Sequence, residues 1–249
     1  MKFINKYKSP NFDKRKKGLK IKHIILHYTG MKSDIEALEY LCSQKNKVSS
    51  HFLVNKSGKI YSLVDLKKRA WHAGKSYWKG EIDINSSSIG IEIDNSGKIL
   101  NFEKYPKKQI LALLGLLKYL KQKYQINDSN ILGHSDVAPY RKIDPGEKFP
   151  WKKLHNYKLI KLPSNFSNEI KSEIGLMFKK NKIRSLTTRS LIMLEKIGYD
   201  IIEAKKNNKK LKLLIKAYQS RYRSSRVDGK IDKSTYKILL NHYIQMLTT

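Results

Sequence analysis

Apolar positions change their spacing along the chain, and each change of period predicts an element. Residues 21–27 read as a buried strand ending in a turn at Tyr28-Thr29-Gly30. Ser33 and Glu36 have the spacing of a capping box, and Ile35, Leu38, Leu41 and Cys42 recur at helical intervals behind it. Residues 51–54 and 59–64 flank Asn55-Lys56-Ser57-Gly58, the pattern of a hairpin with a glycine turn. Over 89–93 the alternation is strict: the isoleucines take one face of a strand, and Gly90, Glu92 and Asp94 take the other. Pro106 suits a first helical position, and Ile110, Leu113, Leu114, Leu117 and Leu120 then form an apolar stripe. This mixture predicts an α/β domain, a mixed central sheet flanked by helices.

The pattern changes after Trp151. Residues 156–172, with Leu162-Pro163-Ser164-Asn165, are polar enough for a linker. Helical periodicity returns over 186–198, 211–222 and 234–247, the last preceded by an Asp228-Gly229 turn. The expectation is a second, small all-α domain of three helices. The division predicted is 1–160 and 170–249, with 1–18 a polar, basic arm over the surface.

Composition narrows the class. The 249 residues carry 52 Lys and Arg against 21 Asp and Glu, a formal charge of +31. Such a charge attracts polyanions, but the basic residues are scattered rather than gathered on one face. No nucleic-acid motif accompanies them, so no specific nucleic-acid partner is expected and any binding of that kind should be salt-dependent. The single cysteine, Cys42, excludes an internal disulfide framework and is read as core. The longest apolar run, residues 110–117, is far short of the roughly 20 residues of a membrane span. Lys2, Lys6 and Lys8 are followed by no apolar segment of a secretory signal. A cytoplasmic monomer is therefore expected, with a periplasmic or cell-wall site open only by another route.

Candidate chemistry centres on residues 133–146. Gly133 and Gly146 bound the stretch and Pro139 and Pro145 stiffen it, which predicts a rigid surface loop holding His134 and Asp144 in fixed orientation. An open-sided zinc site needs three protein ligands with one position left free. By itself Asp144 also reads as a turn aspartate before Pro145. His23 and His27 lie on the same side of their strand but roughly 13 Å apart, so only one can join such a site. His27, at the strand's end, is the better placed; His23 suits the core or the surface.

Five segments in order carry a resemblance: Leu26-His27-Tyr28-Thr29, Ser49-Ser50-His51-Phe52-Leu53-Val54, Arg69-Ala70-Trp71-His72-Ala73-Gly74, Ser88-Ile89-Gly90-Ile91-Glu92-Ile93, and the 133–146 stretch. Together they make the chain resemble the zinc-dependent N-acetylmuramoyl-L-alanine amidases of the type 2 family, in its broad-specificity branch. The resemblance implies one zinc ion on His27, His134 and Asp144, Glu92 as the base for the attacking water, and Lys142 as the cation for the oxyanion. It implies hydrolysis of the amide between N-acetylmuramic acid, its 1,6-anhydro form included, and L-alanine of peptidoglycan or muropeptides. A carboxylate on the non-isoleucine face of an apolar strand is costly unless that face meets polar groups or a metal, though Glu92 could also be salt-bridged on an exposed face. Lys142 lies two residues before Asp144, so in an extended segment both point the same way.

Trp71 and His72 are expected to edge the substrate groove, with Tyr28 and Arg141 as further substrate contacts. His51 is read as structural; His155 and His242 carry no signal. The tail resembles small three-helix peptidoglycan-binding modules through Ile197-Gly198-Tyr199 and the run Asp228-Gly229, Asp232, Thr235. The alternative is a non-catalytic peptidoglycan-recognition protein of the same fold.

Overall fold

The computed structural model describes residues 2–248. Its centre is a five-stranded sheet of β2 (His23–Tyr28), β3 (Phe52–Val54), β4 (Ile60–Ser62), β6 (Ser88–Ile93) and β7 (Ile131–Gly133), in the order β4-β3-β6-β2-β7. Only the β3–β4 hairpin is antiparallel; β3, β6, β2 and β7 run parallel. Both faces are covered, which is why residues 24–26 of the central strand are an unbroken apolar run with no exposure. A ribbon of β1 (Phe12–Lys14) and β5 (Lys68–Ala70) lies apart from it.

On one face Ile89, Ile91 and Ile93 join Ile24, Leu26, Phe52 and Val54 against α3 (Lys107–Tyr124) and α5 (Trp151–Asn156). The stripe from Ile110 to Leu120 is the buried side of α3, as its spacing predicts. The other face is shared. Over β3 and β4, Leu53 and Tyr61 pack on α1 (Asp34–Cys42), with Cys42 partly buried at its edge. Over β2 and β7, Ile25 and Leu132 pack with Trp78 and Val137 into the C-terminal helices. By strand alternation His27 and Glu92 are on this second face, between the two clusters.

The C-terminal segment holds α6 (Asn168–Lys180), α7 (Leu186–Ile197), α8 (Ile202–Lys206), α9 (Asn208–Tyr222) and α10 (Lys233–Leu247). The three predicted helices are α7, α9 and α10, each started by a side-chain cap from Ser185, Asn207 and Asp232. The predicted linker over 156–172 ends early, because Ser167 caps Ile170 N and starts α6. The buried residues of α7, α9 and α10 belong to the same cluster as Ile25 and Leu132, so these helices close the second face of the sheet rather than hang from it.

Two further expectations change. The predicted arm is stitched to the body over its described residues 2–18: Ile4 N donates to Ile60 O at 2.9 Å, and Ser9 N donates to Leu63 O at 3.0 Å. The stretch 133–146 is not a surface loop throughout. It opens with the turn α4 (His134–Val137), buried because the C-terminal helices lie over it, and exposure begins only past Pro139. A last short helix, α2 (Ile84–Ser87), leads into β6. None of the helices among the described residues is long and apolar enough to cross a membrane.

Burial sets a pH dependence. Burial, with nearby Arg15 and Arg221 respectively, pushes His51 and His242 down to about 3. Unfolded histidines take a proton near pH 6.5. The unfolded chain therefore binds more protons between pH 6.5 and 3, so stability is full above that window and is lost as pH falls through it. The melting temperature is expected to drop steadily below pH 6.5, less so in His242→Gln; a flat profile to pH 4 would contradict this.

Candidate metal centre

Parallel β2, β6 and β7 end together, and ligands of open α/β sheets collect at such carboxyl ends. His27 is the fifth residue of β2 and sits in register beside Glu92 of β6. His134 follows directly on β7, as the first residue of α4. Asp144 returns to the same place because Ser135 N donates to its carbonyl at 2.9 Å; the peptide bond from Asp144 to Pro145 is cis.

These elements bring three ligand atoms into a small buried triangle. His27 Nδ1 is 2.9 Å from His134 Nδ1 and 3.1 Å from Asp144 Oδ2, and His134 Nδ1 is 2.9 Å from the same oxygen. Ligands at roughly 2.0–2.2 Å from one tetrahedral ion stand about 3.3–3.5 Å apart, so small shifts suffice to fit one.

Proton bookkeeping strengthens the fit. Ser88 Oγ donates to the Ile84 carbonyl at 2.5 Å, so it accepts from His72 Nε2 at 3.2 Å. His72 Nδ1 is then bare and accepts from His27 Nε2 at 3.1 Å, which leaves His27 Nδ1 bare. His134 Nε2 donates to the Ala73 carbonyl at 3.1 Å, which leaves its Nδ1 bare as well. Burial, then His134, lowers His27 to about 4, so its ring is neutral at pH 7. Two lone pairs and a carboxylate thus converge on one point, an arrangement that repels itself unless a cation is shared. Among the described residues this is the one group of three able to hold a metal ion.

Glu92 completes the constellation. Burial first, then Asp144, raises its carboxyl well above the ordinary range, and Oε2 is buried without a hydrogen-bond partner. Glu92, Lys142, Tyr28 and Trp71 line one cleft of about 410 Å³ with the three ligand candidates. Burial and Asp144 push Tyr28 up to about 12, so its hydroxyl is protonated.

His72 and Arg141 line the same cleft and are also bonded within the protein. Both ring nitrogens of His72 are engaged by His27 and Ser88, so it buttresses His27. Gly90 makes room for it, since a Cβ there would lie 2.4 Å from His72 Cγ. Arg141 Nε donates to Lys75 O at 2.8 Å and Nη2 to Ala73 O, the carbonyl that also fixes His134. His51 behaves as read: its Nδ1 accepts from Gly90 N at 3.0 Å within the sheet. His23 is buried beside Glu81 at 3.1 Å, far from the triangle.

Sequence reasoning missed the support behind His134. Asp136, fully inside, accepts from Gly133 N at 2.8 Å, from Tyr199 Oη at 2.5 Å and from Arg221 Nη1 at 2.5 Å. Tyr140 Oη donates to Asp200 O at 2.6 Å beside it. No spacing links position 136 to 199 and 221, although Tyr199 stood within a quoted motif.

The profile of the family Amidase_2, described as N-acetylmuramoyl-L-alanine amidase, matches residues 17–147. Over 241 residues the chain is 32% identical to N-acetylmuramoyl-L-alanine amidase AmiD of Escherichia coli (strain K12), covering 91% of this chain and 84% of that protein. The crystal structure of AmpDh3 from Pseudomonas aeruginosa matches with a TM-score of 0.77 at 28% identity, over 98% of this chain and 99% of that one. The E. coli AmiD structure in complex with the substrate anhydro-N-acetylmuramic acid-L-Ala-D-gamma-Glu-L-Lys matches at 0.76 and 29%, over 90% of this chain and 89% of that one. On its profile match and its 32% identity to a relative over 91% of its length, the chain belongs to the N-acetylmuramoyl-L-alanine amidase family of amide hydrolases.

Proposed function

We propose that His27, His134 and Asp144 hold one zinc ion, and that the chain cleaves the amide between the lactyl group of N-acetylmuramic acid and L-alanine. The observation that carries this is the convergence of two bare imidazole nitrogens and a carboxylate beside the unpaired Glu92 oxygen. Two neutral imidazoles and one carboxylate leave a divalent ion a net positive charge, and zinc is the metal that this donor set suits. When bound, zinc supplies Lewis acidity at the scissile carbonyl and toward the attacking water.

The remaining work falls to side chains. Glu92 takes a proton from the attacking water and passes it to the leaving amine nitrogen of L-alanine as the C–N bond breaks. Its raised affinity for protons suits the carrying step. The Lys142 ammonium donates to the carbonyl oxygen as negative charge builds there. Tyr28 and Trp71 flank the substrate in the cleft, while His72 and the Ala73 carbonyl hold the two histidines in the required tautomers.

The substrate class is peptidoglycan or muropeptides, and the anhydro form is favoured by the ligand in the E. coli AmiD complex. Residues 170–249 are assigned as a second unit that contacts the same polymer, in line with their three capped helices α7, α9 and α10. Mass spectrometry of an anhydro-muropeptide incubated with zinc-loaded protein tests the activity. Free stem peptide beginning at L-alanine is expected, with none after chelation. Intact substrate with loaded enzyme, or undiminished cleavage by stripped enzyme, would overturn the proposal.

A further inference from the structure

A second cavity of about 410 Å³ opens between the C-terminal helices and the loops that carry Trp78, Asn127 and Lys161, and it shares no lining residue with the catalytic cleft. Its volume falls within the usual range of small-molecule sites. Trp78 and Tyr222 give it aromatic walls, and Ile197 and Met246 add apolar surface. Lys79, Lys161 and Arg221 supply its charge, and neither aspartate nor glutamate lines it.

Two donors of its lining residues are left over. Trp78 is 2% exposed and Arg221 is 5% exposed, and neither the indole Nε1–H nor the guanidinium Nε–H has a partner among the described residues. Arg221 cannot turn to find one. Its Nη1 is held by Asp136 at 2.5 Å, and its Cζ lies 4.3 Å from the Trp151 ring centroid and 5.1 Å from the Tyr222 ring centroid. Buried donors without acceptors are unfavourable, and indole, guanidinium and ammonium groups can only donate. The missing component is an acceptor-rich group.

We propose that this cavity is a second ligand site, for a small anion carried on a ring or aliphatic body. A carboxylate or a phosphate would meet the Trp78 and Arg221 N–H groups and the Lys79 and Lys161 ammonium groups, while the body lies along Trp78, Tyr222 and Met246. The site is independent of the hydrolysis. It lies where the C-terminal helices meet the loops that carry Trp78 and Asn127, so an occupant would tie these parts together.

The three tryptophans give three indole N–H signals in ¹⁵N spectra, and Trp78→Phe identifies the one concerned. N-acetylmuramic acid serves as the carboxylate probe, inorganic phosphate as the phosphate probe, and uncharged N-acetylglucosamine as the control. A saturable downfield movement of the Trp78 signal with muramic acid assigns the site to carboxylates, and movement with phosphate assigns it to phosphates. In Lys79→Gln/Lys161→Gln the affinity is expected to fall about tenfold or more, with the other two indole signals at their original positions as proof of fold. A Trp78 signal that ignores both anions, moves equally with N-acetylglucosamine, or titrates unchanged in the double variant overturns the proposal.

Discussion

Glu92→Ala is expected to lose activity by about 10²–10⁴-fold, the usual contribution of a positioned general base, while its zinc content stays unchanged. The carboxylate lies next to the ligands without being one: it pairs in register with His27, and its Oε2 has no donor. A glutamate that served the fold would be salt-bridged, and its loss would destabilise the protein. Here an uncompensated buried carboxyl is removed, so Glu92→Ala should melt no lower than the wild type. Glu92→Gln keeps the shape and removes the base, and should match the alanine variant in rate. Turnover, bound zinc and melting temperature measured on one preparation decide the matter. Full turnover in Glu92→Ala, or a fall in zinc that tracks the fall in rate, would refute the assignment.

Arg221→Met is expected to destabilise the protein by about 3–5 kcal/mol, the range for removing one partner of a buried ion pair. Asp136 would be left as a buried charge with two of its three donors, Gly133 N and Tyr199 Oη. Asp136→Asn combined with Arg221→Met removes both charges and should recover much of the loss. Tyr199→Phe should cost less, about 1–3 kcal/mol for one unmet buried acceptor. Because Asp136 lies two residues past His134 in the same turn, the effect should reach the metal site and weaken zinc retention as well. Urea unfolding gives the energies directly. An Arg221→Met variant within 0.5 kcal/mol of the wild type would show that the C-terminal helices do not depend on this contact.

Much of this was legible before any coordinates, and the reasons are local. The alternation at 89–93 places Ile89, Ile91 and Ile93 in the core and Glu92 in the cleft, because strand period leaves no other choice. The impossibility of a shared ion for His23 and His27 follows from strand rise alone, and the two do lie in different surroundings. α6 was hidden because Ile170, Ile174 and Phe178 make a thin stripe interrupted by Gly175, and only Phe178 is buried. The tautomer chain from Ser88 through His72 to His27 joins residues that no periodicity connects. The Asp136 contacts with Tyr199 and Arg221 span more than sixty residues, and such pairs are set by how helices land on a sheet. Exposure of 133–146 was misjudged for the same reason: glycine and proline spoke for a loop, but the cover came from a distant part of the chain.

Zinc binding to metal-free protein, followed by titration calorimetry, bears most directly on the convergence of His27, His134 and Asp144. One ion per chain is expected for the wild type. Binding should be abolished in His27→Ala, His134→Ala and Asp144→Ala, and weakened about 10–100-fold in His72→Ala, whose ring fixes the His27 tautomer. No uptake by the wild type, or wild-type affinity in any of the three ligand variants, would contradict the metal centre.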